Sequence, residues 1–285
     1  MAVSKVWVGL AMAACGIHPV VAAAFDVYGF IPYKTRLVDG AAVKAEPDQA
    51  WLAELGVRTI EVVYDNKILS FPRTKDRKNN ATISEAKVRV VAADYQKKQS
   101  HMISLDLESW DRFDERTPSR ILEAIGLYRK SHPEAIIGLY ATVPQNTFGW
   151  SASKVKKYDE INARYNEVAA SVDYFSPSLY NYSGSGFEAW LESARYNISA
   201  ARKYSTSKKI IPYITPEVGE GRATRWLSYD EMSQRLRALE SLGADGCIVW
   251  GSSRSRDSSG AAPVLDPESG WLRAVSDFAQ RRKES

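Results

Sequence analysis

The segment HMISLDLESWDRFDERTPSRILEAIGLYRKSHPEAIIGLYA, residues 101–141, contains two β-rich runs separated by an amphipathic helical pattern. The first run, Met102–Glu108, alternates apolar and polar side chains with the period of two that is typical of a strand. The pattern then predicts a helix over Ser119–Ser131 and a second strand over Ala135–Ala141. Because a helix that connects neighbouring strands places them in parallel, the segment predicts one β/α unit of a parallel sheet.

The same unit recurs along the chain. The other predicted strands are Phe25–Tyr33, Thr59–Tyr64, Asp173–Tyr180, Lys209–Thr215 and Gly246–Trp250. The other predicted helices are Pro47–Leu55, Ser84–Lys98, Ser153–Ala170, Phe187–Tyr204, Tyr229–Leu242 and Gly270–Arg281, with N-caps at Ser84, Ser119 and Ser153.

Seven such units without a dinucleotide-binding glycine fingerprint favour a barrel over an open doubly wound sheet. We therefore expect an α/β fold, a distorted TIM-like (β/α) barrel with seven parallel strands, as a single domain over residues 25–285. An eighth strand within Gly251–Pro267 is the alternative.

The first 24 residues have the pattern of a secretory signal peptide. Met1–Ala24 has one basic residue near its start, then an apolar run, and the small residues Ala22 and Ala24 fit a cleavage site. This predicts a secreted or periplasmic protein with no membrane segment after cleavage. A helix of the mature fold and lipid modification of Cys15 are the alternatives. After cleavage, Cys247 is the one remaining cysteine of the sequence, so no intrachain disulfide can form.

The composition excludes several classes of protein. A net charge of +4 with no clustered basic-aromatic motif gives no reason to expect a nucleic-acid partner. Two cysteines and three histidines exclude a four-cysteine zinc site and argue against a three-histidine one. We expect no metal, no cofactor and a monomer.

Two carboxylates share one face of the third predicted strand. Ser104, Asp106 and Glu108 alternate with apolar residues, so they are expected to point into the mouth of the barrel. Desolvation and mutual repulsion disfavour ionisation of both carboxyl groups, which raises a pKa and leaves an acid protonated near neutral pH. A general acid requires this property. The alternative is a structural pair bound to a barrel arginine or lysine.

The spacing of Asp106 and Glu108 indicates a particular kind of glycoside hydrolysis. Side chains two residues apart on a strand are about 6 to 7 Å apart and point the same way, so they cannot flank a sugar as acid and nucleophile. The pair suits substrate-assisted catalysis, in which the 2-acetamido oxygen of the substrate attacks the anomeric carbon. Glu108 would protonate the leaving oxygen and later activate water, while Asp106 would hold the acetamido N–H.

Aromatic side chains occur at four other strand ends near the same rim: Tyr64, Tyr140, Tyr180 and Trp250. A fifth, Tyr213, lies on the sixth strand, and the pattern leaves its facing open. Aromatic rings stack on sugars, and phenol groups hydrogen-bond to sugar hydroxyls. Core packing explains any one of these residues alone. Together with the two carboxylates, they predict a carbohydrate-binding cleft.

Six colinear motifs resemble those of the hyaluronidases, glycoside hydrolase family 56. They are FDVY (25–28), VYD (63–65), LDLESW (105–110), GLYA (138–141), SPSLY (176–180) and LGADGCIVWGSS (242–253). The resemblance implies a distorted seven-stranded barrel and metal-free cleavage of β-1,4 bonds to N-acetylglucosamine in hyaluronan, and often in chondroitin. It also implies Glu108 as proton donor and Asp106 as its acetamido-positioning partner. The implied sugar subsite consists of Tyr64, Tyr140, Tyr180 and Trp250, with Ser252 close by.

The chain also departs from this family. Animal members carry disulfides, and their tyrosine-rich, cysteine-containing segment after the fourth strand is Thr142–Asn146 here. We therefore expect a disulfide-free, microbial relative that acts as a retaining endo-β-N-acetylhexosaminidase on a hyaluronan- or chondroitin-like polysaccharide. A non-catalytic glycan-binding barrel and a glycosidase for a different microbial exopolysaccharide are the alternatives.

Basic residues follow several predicted strands. The long connection Asn66–Ile83, which is predicted to be non-helical, carries Arg73, Lys75, Arg77 and Lys78. Others after strand ends are Arg222, Arg225, Arg254 and Arg256. A solvated surface is the simpler interpretation of these residues, and contacts to the uronate groups of an anionic polymer are the alternative.

Overall fold

The computed structural model describes residues 25–181 and 186–281. The predicted signal peptide, Met1–Ala24, and Cys15 within it lie outside the described residues. In the described ranges, no helix has both the length and the apolar character needed to cross a membrane.

The strands are short. They are β1 Asp26–Phe30, β2 Thr35–Val38, β3 Ala41–Lys44, β4 Arg58–Thr59, β5 Glu61–Tyr64, β6 Leu69–Ser70, β7 Thr82–Ile83, β8 Met102–Asp106, β9 Ile136–Leu139, β10 Tyr174–Phe175, β11 Lys209–Ile210, β12 Tyr213–Ile214, β13 Glu217–Glu220, β14 Ala223–Trp226 and β15 Gly246–Trp250. The α-helices are α1 Gln49–Glu54, α2 Asp65–Ile68, α3 Glu85–Lys97, α4 Thr117–Ser131, α5 Val155–Ala163, α6 Asn166–Ser171, α7 Phe187–Tyr204, α8 Tyr229–Ser241 and α9 Gly270–Gln280.

Parallel pairing of alternating strands and helices builds an α/β barrel. Strand β1 pairs in parallel with β15 and β4, β15 pairs with β12, and β8 pairs with β5 and β9. Strands β10 and β11 form a separate parallel pair. Isolated parallel bridges, Tyr140 to Ser176 and Ser178 to Tyr213, connect the remaining neighbours. The ladder is therefore divided among several sheets and is not one continuous closed sheet.

Proline limits two of the predicted strands. The strand predicted over Asp173–Tyr180 is regular only in β10, and the one predicted over Lys209–Thr215 is interrupted between β11 and β12. Pro177 and Pro212 lie at these places and have no N–H to donate to the ladder. Their carbonyl groups still accept, from the N–H groups of Tyr213 and Ile248, both at 2.8 Å.

Two of the three predicted N-caps are wrong. Ser84 does cap α3, because its hydroxyl accepts from the N–H of Lys87 at 3.4 Å. Helix α4 begins at Thr117 with a proline in its first turn, and Ser119 lies inside it. Ser153 lies in a 3₁₀ turn, and the helix predicted from there to Ala170 is split into α5 and α6.

Three antiparallel pairs were not expected from the alternating pattern. They are β2 with β3, β6 with β7, and β13 with β14. The first has a turn at Asp39 and Gly40, both with positive φ, and Asp-Gly is a hairpin signal that the sequence does contain. The second pair lies in the connection Asn66–Ile83. This connection was predicted to be non-helical, and the helical turn α2 at its start shows that the prediction is wrong there.

The barrel interior is largely aromatic. One buried cluster consists of Tyr28, Ile60, Tyr174, Ile211, Tyr213 and Ile248. Partly buried aromatic side chains pack on this cluster, among them Tyr140, Tyr180 and Trp250. The core therefore forms the floor beneath the predicted site.

Substitution of Gly138 tests how tightly the barrel interior is packed. A Cβ atom at Gly138 would lie 2.3 Å from two ring atoms of Tyr174. We expect Gly138→Ala to lower the free energy of unfolding by about 1 to 3 kcal/mol, measured by urea denaturation, because the buried ring has to move. Gly126→Ala is the matched control. A Cβ atom there meets nothing within 4 Å, and this exposed helical position should gain about 0.5 to 1 kcal/mol. Equal effects of the two substitutions would contradict tight packing at Tyr174.

Candidate active site

A cavity of about 290 Å³ lies where β5, β8 and β15 end, and we name it the carboxylate cavity. Seven of the eight predicted site residues line it: Tyr64, Asp106, Glu108, Tyr140, Tyr180, Tyr213 and Trp250. The sequence left the facing of Tyr213 open, and the structure places it at this cavity. Parallel register accounts for part of the arrangement, because Tyr64 lies opposite Asp106 in the β5–β8 ladder.

The surroundings of Asp106 and Glu108 raise the pKa of both carboxyl groups. Burial, followed by the nearby charges of Glu108 and Asp65, raises the pKa of Asp106 to about 8. Glu108 remains accessible to solvent at the cavity. Desolvation within the cavity and the charge of Asp65 raise its pKa, and the Lys78 ammonium partly opposes this. Strand β8 ends at Asp106, so the prediction that the strand continues to Glu108 is wrong, but the two side chains still share one cavity.

Asp65 and Lys78 are two further charged residues of the carboxylate cavity. Asp65 directly follows β5, and its carboxylate accepts a hydrogen bond from the hydroxyl of Ser109. The motif Val63-Tyr64-Asp65 contained it, but Tyr64 alone was given a role. Lys78 is the one member of the basic loop Arg73, Lys75, Arg77 and Lys78 that lines this cavity.

The aromatic residues contact one another in a continuous wall. The rings of Tyr180 and Trp250 stack at 5.4 Å with an interplanar angle of 23°, and Tyr140 meets Tyr213 edge to face at 5.0 Å. The indole N–H of Trp250 donates to the Tyr64 hydroxyl at 3.3 Å. Burial raises the pKa of Tyr64, Tyr180 and Tyr213, so these phenols stay neutral near pH 7. The wall therefore offers flat apolar faces beside hydroxyl groups.

Ser252 is the predicted site residue that does not line the carboxylate cavity. Its N–H donates to Glu217 Oε1 at 2.6 Å. The same carboxylate accepts from the hydroxyls of Tyr33 at 2.6 Å and Ser255 at 2.5 Å. Glu217 therefore fixes the loop that follows Trp250. No motif in the sequence indicated this residue, because its partners come from distant parts of the chain.

The arginines proposed as uronate contacts do not line the carboxylate cavity. Arg225 forms ion pairs with Glu220 and Glu231, and the guanidinium of Arg256 donates to carbonyl groups of its own loop. Arg222 and Arg254 are exposed. Within residues 25–181 and 186–281, no three histidine, cysteine, aspartate or glutamate side chains are grouped so that they could hold a metal ion.

The raised pKa of Asp106 predicts a pH-dependent stability. Folding favours the protonated form, so the contribution of this group is complete below its ordinary pKa and is lost as the pH rises through about 8. At about pH 9, we expect Asp106→Asn to raise the free energy of unfolding above that of the wild type by more than about 1.4 kcal/mol, the equivalent of one pKa unit. Urea denaturation across the pH range measures this.

The gain in the free energy of unfolding of Asp106→Asn over the wild type should become smaller toward about pH 5, where Asp106 of the folded wild type is itself protonated. Asp76→Asn, at an exposed position of the basic loop, is the matched control and should show neither effect. A gain for Asp106→Asn that does not change with pH would contradict the raised pKa.

No family model matches the sequence. A curated relative, hyaluronidase from the honeybee Apis mellifera, is 29% identical over 162 residues. That alignment covers 52% of this chain and spans 41% of the length of the honeybee protein.

Two solved structures of bee venom hyaluronidase share the fold. One, in a monoclinic crystal form, superimposes with a TM-score of 0.56 at 16% identity, covering 92% of this chain and 98% of that chain. The other, in complex with a hyaluronic acid tetramer, has a TM-score of 0.54 at 16% identity, with coverages of 80% and 91%. Together with the honeybee relative, they confirm the predicted resemblance to the hyaluronidases.

Proposed function

We propose that the chain is a secreted glycoside hydrolase that cleaves internal β-linked N-acetylhexosamine bonds of a glycosaminoglycan-like polysaccharide, on a distorted seven-stranded barrel. The observation that carries this proposal is the pairing of Asp106 with Glu108 in one cavity walled by aromatic rings. A cavity of this size with convergent polar groups is typical of a small-molecule or sugar site. The hyaluronidase relative supports the substrate class.

The first step opens the glycosidic bond. Glu108 gives its proton to the leaving oxygen as the bond from the anomeric carbon to that oxygen breaks. The acetamido carbonyl oxygen of the substrate bonds to the same carbon, which forms an oxazolinium-like intermediate. The one proton of the pair is on Glu108 in this step, so Asp106 is a carboxylate that accepts the acetamido N–H and stabilises the positive charge that develops there.

The second step restores the protein. The carboxylate of Glu108 takes a proton from a water molecule, whose oxygen bonds to the anomeric carbon as the bond to the acetamido oxygen breaks. Two displacements at one carbon retain its configuration. Glu108 therefore serves as acid and then as base, which requires a pKa near the working pH.

The charges around the carboxyl pair suit this exchange of roles. Burial and the carboxylates raise the pKa of both residues, so the coupled pair retains a proton near neutral pH. The positive charge of Lys78 limits the rise in the pKa of Glu108. An acid whose pKa rose without limit would be a poor proton donor in the first step.

The aromatic wall is suited to hold the sugar whose bond is cleaved. The stacked rings of Tyr180 and Trp250 offer an apolar face, and the hydroxyl groups of Tyr64 and Tyr140 lie at the same cavity. Binding through rigid rings costs little conformational entropy, so the anomeric carbon can be held close to Glu108.

Substitution of Glu108 tests the reaction directly. We expect Glu108→Gln to lower the release of reducing ends from hyaluronan, chondroitin and N-acetylglucosamine polymers by about 100-fold or more, because glutamine cannot transfer the proton. Glu115→Gln, at an exposed position of the following loop, is the matched control and should retain activity. Normal release by Glu108→Gln would remove this residue from the reaction.

The same assay separates the alternative functions. Binding of these polymers by the wild type without cleavage would favour a glycan-binding barrel. A thiazoline that mimics the oxazolinium intermediate should inhibit the wild type. Cleavage that persists at saturating thiazoline would argue for a protein nucleophile and against the substrate-assisted step.

Lys78 should set the alkaline limit of activity. Its positive charge lowers the pKa of Glu108, so Lys78→Met should raise that pKa. Because the acid must be protonated, activity should extend to higher pH in this variant, seen as an upward shift of the alkaline limb of kcat/KM. Lys75→Met, at an exposed position of the same loop, is the control. A downward shift, or the same shift in both variants, would contradict this role for Lys78.

A further inference from the structure

One carboxylate holds the segment that follows Trp250. Oε1 of Glu217 accepts from the Ser252 N–H at 2.6 Å. The same oxygen accepts from the Tyr33 hydroxyl, and Oε2 accepts from the Ser255 hydroxyl. Glu217 begins β13, and its side chain does not line the carboxylate cavity. Any effect of Glu217 on the reaction therefore has to act through another residue.

Tyr33 anchors this carboxylate to the body of the barrel. Its side chain is fully buried, and its hydroxyl accepts from the Trp226 indole N–H at 3.0 Å. Burial and the charge of Glu217 raise the pKa of Tyr33, so the hydroxyl keeps its proton and remains a donor. A Cβ atom at Gly251 would lie 2.8 Å from a ring atom of Tyr33. The chain directly after Trp250 is therefore packed against the ring that binds Glu217.

The chain that enters β13 also holds the residue beside Tyr180. The side-chain amide of Asn181 donates to the main-chain carbonyl groups of Thr215 at 2.7 Å and of Glu217 at 3.3 Å. Asn181 is itself buried. Glu217 is thus bound to the segments of two aromatic residues, to that of Tyr180 through its carbonyl group and to that of Trp250 through its carboxylate.

We propose that Glu217 is a positioning residue that sets the separation of the Tyr180 and Trp250 rings. These rings stack at 5.4 Å with an interplanar angle of 23°. The inference rests on the proposed function, in which the sugar whose bond is cleaved lies against the two rings. A misplacement of about 1 Å can lower a rate by about 100-fold, so a residue that holds the rings affects the reaction without contact to the substrate.

Two conservative substitutions separate the geometry of Glu217 from its charge. Glutamine has the same length, so its oxygen can accept from the Ser252 N–H and the Tyr33 hydroxyl. Its amide group can donate to the Ser255 hydroxyl, which can also act as an acceptor. Aspartate keeps the charge but is one methylene shorter, so its carboxylate cannot keep the contacts to Tyr33 and Ser252 in place.

We test this role by the release of reducing ends from those of hyaluronan, chondroitin and N-acetylglucosamine polymers that the wild type cleaves. We expect Glu217→Asp to lower kcat/KM about tenfold, because the rings that hold the sugar are displaced. Glu217→Gln should stay within about twofold of the wild type, because it keeps the hydrogen bonds. The inhibition constant of the thiazoline, which occupies the carboxylate cavity, should rise in Glu217→Asp and not in Glu217→Gln.

Glu220→Ala is the matched control in the same strand. It removes an exposed ion pair with Arg225 and should match the wild type. Urea denaturation checks that each variant is folded at the assay temperature.

A double-substitution cycle shows whether Glu217 acts through the stacked rings. In a Trp250→Ala background, we expect Glu217→Asp to lower kcat/KM by no more than about threefold, because one of the two rings is already absent. An equal loss in both backgrounds would overturn the proposal.

Two other results would also overturn it. The first is an unchanged kcat/KM in Glu217→Asp. The second is a loss in Glu217→Gln that equals or exceeds the loss in Glu217→Asp, which would assign the effect to the charge. Failure of the proposed function looks different, because the wild type itself would then cleave none of the polymers.

Discussion

The repulsion between desolvated carboxyl groups at the end of β8 is the constraint on which the rest of the site depends. Asp106 and Glu108 share a cavity with Asp65. Burial raises the pKa of Asp106, and desolvation within the cavity together with the charge of Asp65 raises the pKa of Glu108. Such a cluster does not stabilise the fold. Removal from water makes the ionised carboxyl groups unfavourable, and it gives the neutral groups no favourable interaction in return. The surrounding barrel must therefore hold these groups by other interactions, and the aromatic core beneath them supplies the packing.

Much of this arrangement could be predicted from the sequence, because strands have a period of two and parallel strands end at a common edge. The alternation around Asp106 and the aromatic residues at four other strand ends were enough to predict six of the seven side chains at this cavity, and they left the facing of Tyr213 open. Short segments interrupted by proline could not be delimited, since a missing N–H at Pro177 or Pro212 ends a ladder without changing its hydrophobic pattern.

Other features depend on contacts between distant residues, which no local pattern encodes. The carboxylate of Glu217 accepts hydrogen bonds from the Ser252 N–H and from the hydroxyls of Tyr33 and Ser255, although Tyr33 lies far away in the sequence. Lys78 belongs to a run of basic residues, and nothing in the sequence distinguishes it from the other three, Arg73, Lys75 and Arg77. The β6–β7 pair folds back the loop that carries Lys78, so tertiary structure decides which cation reaches Glu108.

The access of Glu108 to solvent at the carboxylate cavity follows from where β8 ends. Had the strand continued to Glu108, the ladder would have fixed this side chain beside Asp106 within the barrel. Because regular structure stops at Asp106, the ladder does not hold Glu108, and this side chain lines the carboxylate cavity while remaining accessible to solvent. In the proposed reaction, an acid in this position reaches the oxygen that joins two sugars. The early end of the strand is what allows, in that proposed reaction, a pair from one strand to act on a bond between two bound sugars.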